Sequence, residues 1–102
     1  MPCSLKPHGV GWSAATGSSI TIKVVADNTT ITAATYNNAS VPVAANTITF
    51  TVVSGAKLLD LALVGPDELV KIVEVCSDGS TQLLDQFNVY QPTEGITIWG
   101  QP

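Results

Sequence analysis

Side chains able to carry out chemistry are scarce in this sequence. There is one histidine, His8, and there are two cysteines, Cys3 and Cys76, with eight acids, four lysines and no arginine. A Ser-His-Asp relay would have to combine His8 with Ser13 or Ser54 and some acid, and no spacing joins them. The nucleophile-elbow pattern GxSxG and the metal-binding pattern HExxH are both absent. Among the carboxylates, Asp67 and Glu68 are adjacent and read as opening the turn after Pro66. Asp60, Glu74 and Asp85 fall in separate runs and read as solvent-facing charges. Zinc needs about four soft or imidazole ligands, and two distant cysteines with one histidine fall short. Asp27-Asn28 and the Ser77-Asp78-Gly79-Ser80 segment offer oxygens for calcium, but the same residues are the ordinary chemistry of a turn. Gly9-Val10-Gly11 lacks the lysine and later glycine of a phosphate cradle. A Cys3–Cys76 bridge would close a long loop and add roughly 4 kcal/mol. The sequence reading is instead a terminal thiol at Cys3 and a small buried hydrophobe at Cys76. No catalytic residue, metal ligand or cofactor is assigned, and the chain reads as non-enzymatic.

Binding chemistry is better represented. The aromatic residues are Trp12, Tyr36, Phe50, Phe87, Tyr90 and Trp99. Phe50 alternates with Ile48 and Val52 and belongs to a core, as does Phe87. Trp12, Trp99 and Tyr90 remain as candidates for a binding face, because an exposed aromatic ring can stack on a sugar or anchor a protein. The competing expectation is that the two tryptophans close the open ends of the fold. Thr47, Thr49 and Thr51, with Thr30 and Thr32, are expected to form one flat polar β-face. The partner classes left open are a protein, a carbohydrate or a second copy of the chain.

These residues must be positioned by short strands. Ile20-Thr21-Ile22-Lys23-Val24 and Thr47-Ile48-Thr49-Phe50-Thr51-Val52 alternate apolar and polar residues. Thr30–Tyr36 is a further β-rich run, and Val41-Pro42-Val43 suits an edge strand or an extended link. In Lys57–Val64, Leu59, Leu61 and Leu63 share one face, while Leu58, Asp60 and Ala62 form a second that is expected to be partly covered. The stretch from Leu69 to Cys76 has helical spacing, yet Val70, Ile72, Val73 and Val75 are β-branched. The Asp78-Gly79 hairpin signal follows at once, with Thr81–Val89 returning beyond it. A strand is therefore expected there, and a last one at Ile96–Trp99. Residues 1–19 show neither period and read as an irregular arm, ahead of a single β-domain over 20–102.

About seven strands with turns every 8–12 residues resemble an immunoglobulin-like or fibronectin-type sandwich. The resemblance rests on Ile20–Val24, Thr47–Val52 and the Ser77–Ser80 hairpin, and lacks the Cys-Trp-Cys spacing of antibody domains. It implies an all-β antiparallel sandwich and a role in binding or spacing other modules, with a small closed barrel as the alternative. Composition agrees: of 102 residues, 45% are hydrophobic and only 12% charged, with a net charge of −4. That balance argues against disorder, and four scattered lysines argue against a nucleic-acid partner. No apolar run reaches the roughly 20 residues of a membrane-spanning helix. The N-terminus shows no apolar leader, but the wealth of threonine and serine leans toward an exported or surface protein.

Overall fold

The computed structural model describes residues 3–8, 11–88 and 93–101. Eleven strands run in chain order: β1 (Lys6–His8), β2 (Gly11–Ala15), β3 (Ser19–Val25), β4 (Thr30–Tyr36), β5 (Ala39–Ser40), β6 (Val43–Ala44), β7 (Thr47–Thr51), β8 (Gly55–Val64), β9 (Leu69–Val75), β10 (Thr81–Asn88) and β11 (Thr93–Gln101). They build a six-stranded sheet ordered β1-β2-β11-β8-β4-β5 and a five-stranded sheet ordered β10-β9-β3-β7-β6. The chain is thus an all-β sandwich, and the sheets do not close into a barrel. Among the described residues no helix is long and apolar enough to cross a membrane.

Period-two alternation sets which residues meet between the sheets. Ile20, Ile22 and Val24 of β3 and Ile48 and Phe50 of β7 are buried from one side. Leu59, Leu61 and Leu63 of β8 and Ile96 and Ile98 of β11 are buried from the other. Tyr36 of β4 stacks across the gap on Phe50, with ring centroids 4.5 Å apart. Its hydroxyl accepts a hydrogen bond from the Val53 amide at 3.1 Å. Leu69–Val75 is a strand, and it pairs antiparallel with β10 across the Asp78-Gly79 turn. In that turn Asp78 accepts from the backbone and hydroxyl of Ser80.

Within the expected irregular arm over 1–19, Lys6–His8 and Gly11–Ala15 are strands. β1 pairs antiparallel with β2, and β2 runs parallel to β11, with Trp12 opposite Ile98. Gly11-Trp12-Ser13-Ala14-Ala15 has little β-propensity of its own, so a partner distant in sequence decides its conformation. At Gly100 the backbone of Val53 lies so close that a Cβ would sit 1.9 Å from its carbonyl oxygen, so only glycine fits.

The cysteines are also not free. Cys3 and Cys76 form a disulfide across 73 residues. Cys76 follows β9 in one sheet, whereas β1 belongs to the other, so residues 3–5 form a strap between the sheets. Glu74, expected at the surface, is only 2% exposed and holds this strap. It shares the inward face of β9 with Val70 and Ile72, a phase that polarity alone does not reveal. Its Oε2 accepts from the Ser4 amide at 2.8 Å and its Oε1 from the Leu5 amide at 3.0 Å. The Gln82 side-chain amide donates to the same Oε1 at 3.1 Å and to the Leu5 carbonyl at 2.9 Å. Leu5 itself is buried in the core.

Two more polar side chains join the sheets. Asn46, at φ +56°, accepts from the Ile31 amide and donates to the Thr29 carbonyl, while its own carbonyl accepts from Val24. Glu68 accepts from the amides of Asp27 and Asn28 and from the Thr29 hydroxyl. Partial desolvation raises the Glu68 pKa, but the bonds from Thr29, Asn28 and Asp27 together hold it below the ordinary glutamate value. Ser80 likewise lowers Asp78.

Replacing both cysteines by serine is expected to lower the unfolding free energy by about 4 kcal/mol, measured by urea denaturation. Acid should weaken the fold by a second route. Because the folded pKa of Glu68 is depressed, its contribution is present above the ordinary glutamate pKa and is lost as pH falls through the lowered value. In a pH series of urea titrations, the stability gap between wild type and Glu68→Gln should therefore be widest near neutrality and shrink on acidification.

Candidate binding face

β8 and β11 lie in the interior of the six-stranded sheet, and their outward residues form the middle of its exposed face. In register, Trp99 stands opposite Ala56, Thr97 opposite Leu58 and Gly95 opposite Asp60. On the next strand Ser13 of β2 stands beside Trp99, and Lys6 of β1 beside Ser13. Three large apolar residues are open to solvent on this side: Trp99 at 39%, Leu58 at 48% and Val64 at 54%. From the Trp99 row to the Asp60 row is four residues along the strand, about 13 Å.

Asp60 is half-buried and owes its room to Gly95. A Cβ at position 95 would come 3.2 Å from the Asp60 Oδ1. Asp60, Ala62, Ala33, Ala34 and Thr35 line a shallow hollow of about 160 Å³. The face therefore offers one aromatic ring, a flat aliphatic floor and one carboxylate. Such a set can stack against the apolar side of a ring while accepting hydrogen bonds from hydroxyls or amides.

The sequence candidates separate here. Trp12 points into the core at 6% exposure and has no free face for a ligand. Trp99 lies on the strand beside it and on the opposite side of the sheet. Tyr90 lies outside the described residues. Leu58, Asp60 and Val64 were not singled out as site residues; the alternation of β8 places them on the second face, which was expected to be partly covered. The threonine rows do not form one surface. β7, with Thr47–Thr51, belongs to the five-stranded sheet, and β4, with Thr30 and Thr32, to the other. Thr49 is joined instead by Thr21, their hydroxyls 3.1 Å apart. Of the segments considered for calcium, Asp78 serves its own turn by accepting from Ser80, and the backbone amides of Asp27 and Asn28 donate to Glu68.

The two tryptophans should respond differently to truncation. Trp12→Ala is expected to cost about 3–5 kcal/mol, as for other buried aromatics. Trp99→Ala should cost about 1 kcal/mol or less, and equilibrium unfolding of the two variants side by side checks the contrast.

Comparison with protein families, with curated proteins and with solved structures finds no match to this chain.

Proposed function

We propose that this chain is a non-enzymatic, immunoglobulin-like binding module of an exported or surface protein. Its ligand face is the outer side of the six-stranded sheet, and its partner is a protein or a glycan. The observation that carries this reading is the outward side of β8 and β11, where exposed Leu58 and Trp99 are near neighbours, with Asp60 and then Val64 further along β8. Isolated exposed hydrophobic residues are ordinary, but an exposed tryptophan close to an exposed leucine in the middle of a sheet is the kind of pair that interaction sites use.

The immunoglobulin-like part of the proposal is supported by strand order. In that sandwich one sheet contains strands B-E-D and the other C-F-G. Here β3-β7-β6 and β4-β8-β11 occupy those places in the same chain order. The β9–β10 hairpin is additional and lies beside β3, where strand A stands in the common pattern. The Cys3–Cys76 bond supports an oxidising compartment.

A glycan array and affinity capture from extracellular protein fractions test the reading, using wild type, Trp99→Ala and Leu58→Asp. Binding by the wild type that falls at least about tenfold in both variants is the expected result, since loss of a central aromatic anchor costs 2 kcal/mol or more. Binding that survives both substitutions removes this face from the proposal. Absence of any ligand or partner for the wild type favours the alternative, a structural spacer domain.

A further inference from the structure

We propose that, once the Cys3–Cys76 disulfide is reduced, Cys3, Glu74 and Cys76 become a binding site for a single thiophilic divalent cation of the zinc and cadmium class. Two sulfurs and one carboxylate oxygen already lie within 4.8 Å of one another. Glu74 lies near the end of β9 and Cys76 directly follows the strand, and both are buried. Cys3 reaches them from the strap. Two separate segments thus deliver three donors to one buried place.

The carboxylate is prepared for the task. Among the described residues, Oε1 accepts two hydrogen bonds, from Leu5 and Gln82, whereas Oε2 accepts one, from Ser4. A carboxylate oxygen has two lone-pair directions, so Oε2 keeps one for a metal. The three N–H groups fix the carboxylate as outer-shell partners fix metal ligands in known sites. All three donors are neutral, so a cation would be the first full positive charge to meet this buried carboxylate among its observed partners. Two thiolates and one carboxylate with a fourth position left to water match the open tetrahedral arrangement that zinc accepts. Cysteine and histidine alone leave zinc short of ligands in this sequence. Glu74, brought in by the fold, supplies the missing third ligand.

The chemistry balances simply. A dithiol reductant cleaves the S–S bond, delivers two electrons and two protons, and leaves as its own cyclic disulfide. The cation then displaces both thiol protons to solvent and forms two metal–sulfur bonds. Disulfide and metal are mutually exclusive, and either one ties the strap to β9.

The test uses the full chain, oxidised or reduced with a dithiol that is then removed anaerobically, and titrated with cadmium. The readout is thiolate-to-metal charge-transfer absorption, with zinc competition as the second measure. One equivalent should bind to the reduced protein and none to the oxidised form. Cys3→Ser should abolish the band, and Glu74→Gln should weaken binding at least about tenfold. Circular dichroism of oxidised Glu74→Gln checks that this variant folds. Should it not fold, Gln82→Leu, which removes one carboxylate donor, is expected to weaken binding by about tenfold instead. The proposal is overturned by reduced wild type that takes up no cadmium, by equal uptake in the oxidised form, or by undiminished affinity in the folded carboxylate variants.

Discussion

A carboxylate buried in a β-sandwich must find hydrogen-bond donors, because leaving it bare costs far more than one residue's packing can return. Glu74 finds them in the Ser4 and Leu5 amides and the Gln82 side chain. Much of the N-terminal architecture follows from that need. With Ser4 and Leu5 fixed against β9, Leu5 is drawn into the core and Cys3 is left beside Cys76. The next residues must then leave the five-stranded sheet and start the edge of the six-stranded one, as β1. β2 follows and aligns parallel with β11, which places Trp12 inward and Ser13 between Lys6 and Trp99. A strap that begins at one sheet and ends at the other joins both, and the disulfide makes the joint covalent.

The same device recurs without a covalent bond. Glu68 gathers the turn between β3 and β4, which passes from one sheet to the other. Asn46 joins the turn between β6 and β7 to the start of β4. Each uses a side chain to satisfy backbone groups in loops where no ladder supplies partners, and each connects the two layers. In a chain with only 12% charged residues, four carboxylates, those of Glu68, Glu74, Asp78 and Asp85, thus accept from backbone amides among the described residues. Low charge does not mean that the charges present are idle.

What the sequence disclosed followed from local periodicity. Ile20–Val24, Thr47–Val52 and Leu59–Leu63 alternate strongly enough to fix both strand and inward face, and the Asp78-Gly79 signal decided the Leu69–Val75 segment against its helical spacing. The failures all involve partners distant in the chain. Lys6–His8 and Gly11–Ala15 become strands because β2 and β11 pair with each other. Cys3 meets Cys76 because Glu74 holds the strap. Glu74 itself breaks the polar-outward rule, and only the donors that gather around it explain its position. The candidate face was half legible: the phase of Trp99 against Ile96 and Ile98 was readable, but which strands flank it was not. Threonines assigned to one surface were divided between two sheets for the same reason.

The two outer faces of the sandwich supply a comparison within one molecule. Both belong mainly to antiparallel pairings, and an antiparallel sheet can be solvated on one face without harm to the core. β7 and most of β3 meet water with Thr47, Thr49, Thr51, Thr21 and Lys23, and the exposed apolar residues of that sheet, Val25, Leu69 and Leu83, lie at the end of β3 and on β9 and β10. β8 meets water with Ala56, Leu58, Ala62 and Val64, interrupted only by Asp60. Strand formation does not require this difference, since threonine serves β7 well at equivalent positions, and core packing does not either, since these side chains point away from it. Solubility would favour the threonine solution on both faces. An apolar outward row on the interior strand β8, with Trp99 on its neighbour β11, is therefore a feature that the fold tolerates but does not generate.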